Sequence, residues 1–530
     1  MGKNICFVGL FLLRFYSAGA QNVTWSEDVA CIIYSHCSPC HNSYNNPTWQ
    51  FNNYLDVFNK RLTVEIYMNT GKMPPGLPNK HFRNFVANKA LTQEEIEIVR
   101  KWALEEALEG DTTLAPKPPV YKKPTTTLVN PDLTFRSNYV LPDSISGHLR
   151  RCFRVPLGQH TGKNIQAIEV VPVYPYIVHS VFIYADNSVA PIFLDDADTG
   201  MGYSYFYGTG STTSKPLYGW TLGSEPFHMP QNLRLRVESS EYLIIQVQYA
   251  KEGVSQMDSS LIHINFDTSS NIRSATTAPL LNHDVNLVNG PFELAIDSTK
   301  VFHERYNVFN PMSILSISPT AHAYCDNMNV YAVLPNKDTV SLLKIDNWDA
   351  SWSEGNYFYR KPVHLPKGSA IHAFSLYSNT ASNLHEGDDT LEPLHAGLDD
   401  HAHVDQMVFN FTYLPYSPGD ENIVFDTLKH RLHFQACKPV HNVSSINSVI
   451  AGRFRLFPNP ATETITIHSK EIYDSYEVTL YNVMGQTCLE KTIFAQQEAM
   501  LDVSGLKTGV YFVQIVYAHY SEVRRIIVSD

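Results

Sequence analysis

Leu243-Ile244-Ile245-Gln246-Val247-Gln248-Tyr249 reads as a β-strand. Isoleucine, valine and tyrosine fit a pleated, packed surface, and the run is too short for an amphipathic helix. Runs of the same kind lie on both sides of it: Ala167 to Val173, Val181 to Tyr184, Leu261 to Phe266, Val330 to Val333 and Met407 to Tyr413. Gly, Pro, Asn and Asp separate them, and no long helical pattern intervenes between about 128 and 440. This is the pattern of all-β sandwiches. A stretch of about 310 residues exceeds one sandwich of ~100 residues. Two are therefore expected, dividing near 270–290 and taken as 128–275 and 276–440.

The pattern changes on either side. Residues 21–111 look helical at both ends. Thr92 is a good N-cap and Glu95 stands three residues on, as in a capping box. Ile96, Val99, Ala103 and Ala107 follow at helical spacing with Trp102 beside them, and Gly110 is the expected stop. Residues 112–127 are rich in Pro and Thr and predict a stiff, extended linker. Residues 452–530 read as a separate small β-module, opened by Phe457-Pro458-Asn459-Pro460-Ala461. Its expected strands are Thr464–Ile467, Glu477–Tyr481 and Val510–Val516, followed by Arg524-Arg525-Ile526-Ile527-Val528.

The 530 residues carry 40 Lys+Arg against 52 Asp+Glu, and no basic run that would track phosphates, which argues against nucleic acid. Charged residues are 17% of the chain while Tyr and Phe number 30 and 27, a composition of folded β-structure rather than disorder. The first 20 residues read as a signal peptide. Lys3 is the positive start, Ile5 to Leu13 the apolar core interrupted by Arg14, and Ala18-Gly19-Ala20 the cleavage site before Gln21. The apolar part is shorter than the ~20 residues a membrane span needs. Cys6 would leave with this leader, and the remaining cysteines include Cys31, Cys152, Cys325, Cys437 and Cys488, whose pairing the sequence leaves open.

Cys37-Ser38-Pro39-Cys40-His41 carries the chemistry. A C-x-x-C-H run holds a c-type haem by two thioethers, with the histidine on the iron. Met73, in Gly71-Lys72-Met73-Pro74-Pro75, is the candidate sixth ligand, and Met68 the second choice. A thioether ligand raises the potential and suits electron transfer. Zinc is the alternative, since Cys31, Cys37, Cys40 and His41 could supply thiolate and imidazole; His36 reads as a solvated neighbour. With Thr70-Gly71-Lys72-Met73-Pro74-Pro75 and Leu91-Thr92-Gln93-Glu94-Glu95, the motif resembles the small cytochrome c modules of multidomain bacterial surface proteins. That resemblance covers roughly 90 residues and implies an electron carrier ligated by His41 and Met73.

The central region resembles the copper type II, ascorbate-dependent monooxygenases, the group of peptidylglycine and dopamine hydroxylases. The matching stretches are Val178-His179-Ser180-Val181-Phe182-Ile183-Tyr184, Tyr218-Gly219-Trp220-Thr221-Leu222-Gly223, Ile245-Gln246-Val247-Gln248-Tyr249 and Ser318-Pro319-Thr320-Ala321-His322. Lys361-Pro362-Val363-His364-Leu365-Pro366-Lys367-Gly368 and Asp405-Gln406-Met407 continue the series. The resemblance implies two jelly rolls with a copper on each, one accepting electrons and one activating O₂ to hydroxylate a C–H bond of a small-molecule or peptide substrate. Its ligand positions carry over in part. Where the family has two adjacent histidines and a third on a later strand, this chain has His179-Ser180 and Gln248. Where it has His-x-His and a distant Met, this chain has Thr320-Ala321-His322 and Met407. Hydroxyl and amide oxygens are weak copper ligands, so His179, His322 and Met407 are the copper candidates. His401-Ala402-His403, whose histidines share a face if extended, together with His395 and His228, are the residues that could compensate.

The tail resembles the C-terminal sorting domain of the type IX secretion system of Bacteroidota. The stretches that carry this are Phe457-Pro458-Asn459-Pro460-Ala461, Leu480-Tyr481-Asn482-Val483-Met484-Gly485-Gln486, Leu506-Lys507-Thr508-Gly509-Val510-Tyr511 and Arg524-Arg525-Ile526-Ile527-Val528. The resemblance implies recognition by the outer-membrane export machinery and release or attachment outside the cell. Glycosylation sequons at Asn22, Asn410 and Asn442 matter only in a eukaryotic host. The expectation is an exported redox protein: a small all-α haem domain, two copper-monooxygenase-like jelly rolls and an immunoglobulin-like sorting sandwich. Haem c is its expected cofactor, copper a second one, and an external electron donor or acceptor its partner.

Overall fold

The computed structural model describes residues 22–425 and 454–529 apart from short internal stretches, the longest of them 143–148, 250–255, 382–390 and 398–403. The expected leader, Cys437, His401 and His403 lie outside the described residues. The chain divides into two compact units, Met1–Lys438 and Pro439–Asp530. The structure is mostly β, in several sheets.

In the larger unit a π-helical turn, Trp25–Val29, and four α-helices come first: Ala30–His36, Tyr54–Phe58, Arg61–Asn69 and Gln93–Leu104. The expected capping box is present. Thr92 Oγ1 accepts the Glu95 N–H at 3.2 Å, and the Glu95 carboxylate accepts the Thr92 N–H at 2.7 Å. The helix ends at Leu104, earlier than Gly110. The carbonyls of Leu108 and Glu109 are taken by the backbone N–H groups of Trp25 and Ser26, each at 2.9 Å, and the Trp102 indole also donates to Leu108. Those bonds turn the chain back, and Ala107 adopts φ +48° in the bend. Trp25, Tyr34, Tyr54 and Trp102 pack edge-on and tilted around the buried Val29, Ile33, Val57 and Val99.

The helical stretch is bonded to the strands that follow it. Val86 N–H donates to Phe358 O at 2.8 Å, Asn79 N–H to Lys344 O at 2.8 Å, and Phe85 pairs with Tyr359 as an isolated bridge. The Pro/Thr-rich segment is held at its far end, where Thr127 N and Oγ1 donate to the Glu169 carboxylate at 2.8 and 2.7 Å.

Tyr242–Tyr249 is the centre of a five-stranded sheet in the order Tyr203–Ser204, Leu149–Pro156, Tyr242–Tyr249, Val178–Asp186, Lys215–Thr221. Every residue of it is buried. Leu243, Ile245, Val247 and Tyr249 enter one core, while Tyr242 and Ile244 pack on the other face with Cys152 and Tyr203. Each such aliphatic burial contributes about 1.5–3 kcal/mol. The core's other wall is a nine-stranded sheet that supplies Ile165, Ile168, Ile262 and Ile264. This sheet runs through the whole β region. Its strand Arg273–Asn282 lies parallel to Leu233–Leu235 at one end and antiparallel to Val408–Pro415 at the other. The expected division at 275/276 thus falls inside one strand. Beyond it the same sheet closes a second core against Ser298–Asn307, Ala370–Asn379, Cys325–Val333 and Thr339–Ile345, around Phe302, Ile314, Val330, Ile371 and Phe409.

The smaller unit has a three-stranded sheet of Phe454–Phe457, Thr464–Ser469 and Glu498–Asp502, and a four-stranded sheet of Thr487–Phe494, Ser475–Asn482, Gly509–Tyr517 and Tyr520–Val528. Ile465, Ile467, Val478, Leu480, Val513, Ile515 and Ile526 fill the space between them. Asn459 Oδ1 accepts the Ile527 N–H at 2.9 Å, and Ala461 pairs with Val528, so the opening motif is fastened to the last strand.

Candidate functional site

Cys37, Cys40 and His41 lie in one turn directly after the helix Ala30–His36. The Cys40 and His41 N–H groups both point back to Cys37 O, at 3.1 and 2.9 Å. Asn42 braces the turn by donating to Ser38 O and Pro39 O, and Ser38 Oγ donates to Phe51 O. Cys37 and Cys40 are free thiols. Burial, with the neighbouring Cys40 as a second cause, pushes the Cys37 thiol up to about 12, so it stays protonated at neutral pH.

His41 Nδ1 lies 3.1 Å from Trp49 O, and the ring packs on Phe51 at 4.7 Å. A carbonyl accepts a proton, so Nδ1 carries the hydrogen and Nε2 the lone pair. Burial holds the His41 pKa below the usual imidazole value, which keeps the ring neutral and able to ligate. Reduced cysteines and an oriented, neutral histidine are what covalent haem attachment requires.

The zinc donor set is not assembled. Cys31 is disulfide-bonded, which withdraws its sulfur. Among the described residues no group of three or more His, Cys, Asp and Glu side chains is arranged to hold a metal ion.

Met73 follows the helix Arg61–Asn69, its N–H donating to Tyr67 O at 3.0 Å, and is half-buried. Met68 is buried within that helix. Pro74, next to Met73, and Cys40 line one cavity of about 220 Å³. His36 and His228 line it too. His36 Nδ1 is 2.7 Å from Lys89 O and its Nε2 3.2 Å from Glu95, so it is a bonded residue rather than a solvated one. Tyr121, from the Pro/Thr-rich segment, sits beside the two cysteines. Burial first, then Cys40 and Cys37, raises its phenol.

The copper candidates sit in packed surroundings. Ser180 Oγ donates to Gln248 Oε1 at 3.0 Å, and both residues are buried. His179 is half-buried on the same strand. His322 is fully buried. Its N–H donates to Asp405 Oδ2 at 3.0 Å, its Nε2 is 3.9 Å from Asp405 Oδ1, and burial holds its pKa well below the usual value. Met407 is fully buried in the second core, and its carbonyl accepts from both N and Nδ1 of His283, each at 3.1 Å. His395 stands exposed with Nδ1 3.3 Å from Pro393 O.

The segment 348–350 is hydrogen-bonded to both of these places. The Trp348 indole donates to Ala321 O, beside His322, at 3.2 Å, while Ala350 O accepts from the buried Arg150 at 2.8 Å. Arg150 is the strand partner of Gln248. Trp348 and Ala350 are themselves buried. Sequence reasoning missed this segment, His283 and the cavity wall, because each is brought to its place by tertiary contacts between residues far apart in the chain.

Residues 455–529 match the family model of the secretion system C-terminal sorting domain. No curated protein matches the chain. Among solved structures, the adhesin domain of Epf from Streptococcus pyogenes is similar at 8% identity over 44% of this chain and 72% of that one, with a TM-score of 0.13. A two-domain fibronectin type-III segment of chicken tenascin is similar at 12% identity over 47% of this chain and 99% of that one, TM-score 0.12. A biofilm-associated protein BSP domain is similar at 7% identity over 75% and 81%, TM-score 0.14. Likenesses of that size carry nothing about function. The sorting domain does: the protein is exported to the outer cell surface or beyond it, and interacts with the type IX secretion machinery.

Proposed function

We propose that this chain is an exported electron carrier with a c-type haem on Cys37, Cys40 and His41, built onto a β-scaffold of copper-monooxygenase type that does not itself hydroxylate. One observation carries the haem reading: two reduced thiols and a histidine fixed through Nδ1 to Trp49 O share a single turn. Each thiol would add across one vinyl group, its sulfur bonding one vinyl carbon and its hydrogen going to the other, so nothing leaves and no oxidant is consumed. Once bound, haem supplies one-electron redox chemistry at iron. Cys37 and Cys40 would hold it through their sulfurs, and His41, oriented through Nδ1, and Met73 are the side chains that would ligate its iron.

The scaffold reading rests on the Ser180–Gln248 bond and on the buried segment 348–350 being hydrogen-bonded beside both copper-family positions. His179 alone, or His322 with Met407, gives fewer donors than a copper ion in a monooxygenase needs. An external electron donor or acceptor is the implied partner.

The test uses protein matured in a host that attaches haem c. Haem staining on a denaturing gel, a Soret band and copper near zero per chain are the expected results. A colourless protein would overturn the haem reading. About two copper atoms per chain would overturn the scaffold reading and restore O₂-dependent hydroxylation.

A further inference from the structure

We infer that the haem is seated against the β region: the cavity that begins at Cys40 is the outer part of the haem pocket, and Leu222, Phe227 and Phe358 form its far wall, with Lys89 at its edge. This rests on the haem reading above.

The Cys40 thiol points at Leu222 O, 3.1 Å away, and Cys40 lines the cavity together with Pro74, the neighbour of the candidate ligand Met73. Of Cys37, Cys40, His41 and Met73 only Cys40 lines the cavity, so what the cavity would receive is the edge of the group bonded to that sulfur. The wall is aromatic. Phe227 and Phe358 lie 4.7 Å apart between centroids, Tyr218 lies 5.2 Å from Phe227, and Phe425 lies 5.5 Å from Phe358. A flat apolar macrocycle gains from such a surface what any apolar ligand gains in a mostly apolar pocket with few polar groups. Lys89 supplies a positive charge, its Nζ 3.4 Å from the same Leu222 carbonyl.

The arrangement is fastened on both sides. Val86 N–H donates to Phe358 O, and Asn79 Nδ2 donates to Asp346 at 2.7 Å. The wall cannot part from Cys40 without breaking these bonds. The β-scaffold then has a role in the redox site: it sets the burial and charge around the iron, which are principal controls on potential.

The experiment compares the full, haem-loaded chain with Phe227→Leu and Lys89→Gln, reading circular dichroism in the Soret band and the midpoint potential. Phe227→Leu is expected to change the Soret dichroism. Lys89→Gln is expected to lower the potential, because losing a nearby positive charge favours the oxidised iron. Lys89 is only half-buried, so its variant decides the matter even if Phe227→Leu does not fold. Dichroism and potential equal to wild type in the folded variants would overturn the inference and confine the pocket to residues 21–111. A wild-type chain without haem would instead sink the haem reading itself.

Discussion

Ser180 Oγ donates to Gln248 Oε1 across adjacent strands at 3.0 Å, in positions where both side chains are excluded from water. The hydroxyl and the amide oxygen satisfy one another at that depth and act as a structural pair, while Gln248 Nε2 is buried without a hydrogen-bond partner among the described residues. Their energetics are asymmetric: a made bond contributes modestly, whereas a buried partner left without it costs about 1–3 kcal/mol.

Ser180→Ala should therefore lower the thermal midpoint of the β region, since it strands the Gln248 carbonyl oxygen. The double variant Ser180→Ala with Gln248→Leu should recover part of the loss, because both polar atoms are then gone. Midpoints followed by near-ultraviolet dichroism check this. If the double variant is the sum of the two singles, the residues are not coupled.

On the proposed haem reading, Met73→Ala should remove the thioether ligand while leaving the thioether attachments at Cys37 and Cys40. The haem stays on the protein in a denaturing gel, and its optical spectrum loses the signature of methionine ligation. The helix Arg61–Asn69 is unaffected, since Met73 lies beyond its end. A spectrum identical to wild type would transfer the role to Met68 or another residue.

The strands of the β region were legible because their side chains are periodic. Tyr242–Tyr249 sends alternate residues to opposite faces, and the run Leu243 to Tyr249 stands out in the sequence for its β-branched and aromatic residues. The Thr92–Glu95 box was legible for a local reason, two complementary side chains three residues apart. The end of that helix was not. It is decided by Trp25 and Ser26, which capture Leu108 and Glu109 from 83 positions away. Cys37, Cys40 and His41 could be read because their spacing is itself the signal. Leu222 against Cys40, 182 positions apart, leaves no trace in either segment. The nine-stranded sheet was likewise hidden, since nothing in Arg273–Asn282 says that it pairs parallel at one end and antiparallel at the other.

Glu304 gives the β region a pH dependence. Its carboxyl is fully buried beside Phe302 and opposite Ala373, near the Tyr377 phenol, and has no hydrogen-bond partner among the described residues. Burial pushes its pKa well above the usual carboxyl value. Above the ordinary carboxyl pKa the unfolded chain releases this proton while the folded chain keeps it, so stability falls as pH rises from about 4.5 towards the folded value. Glu304→Gln holds the neutral shape at every pH. The variant should match wild type near pH 4 and melt higher at pH 8, and midpoints measured across that range check the difference. Equal slopes in the two proteins would mean that Glu304 ionises freely.

The smaller unit predicts where the protein goes. Asn459 binds the backbone of Ile527, Ala461 pairs with Val528, and the core around Ile465, Val478 and Ile515 is made from its own strands. A unit with its own core can be removed without opening the core of Met1–Lys438. Deleting residues 452–530 should therefore leave a folded protein that crosses the inner membrane and stops in the periplasm, because the secretion machinery has lost the segment it reads. Fractionation with immunoblotting, in a host that has the type IX system, distinguishes the outcomes. Accumulation in the periplasm with none outside is expected, and haem on the trapped protein would show that attachment precedes outer-membrane passage. Normal appearance outside the cell without these residues would separate export from the sorting domain altogether.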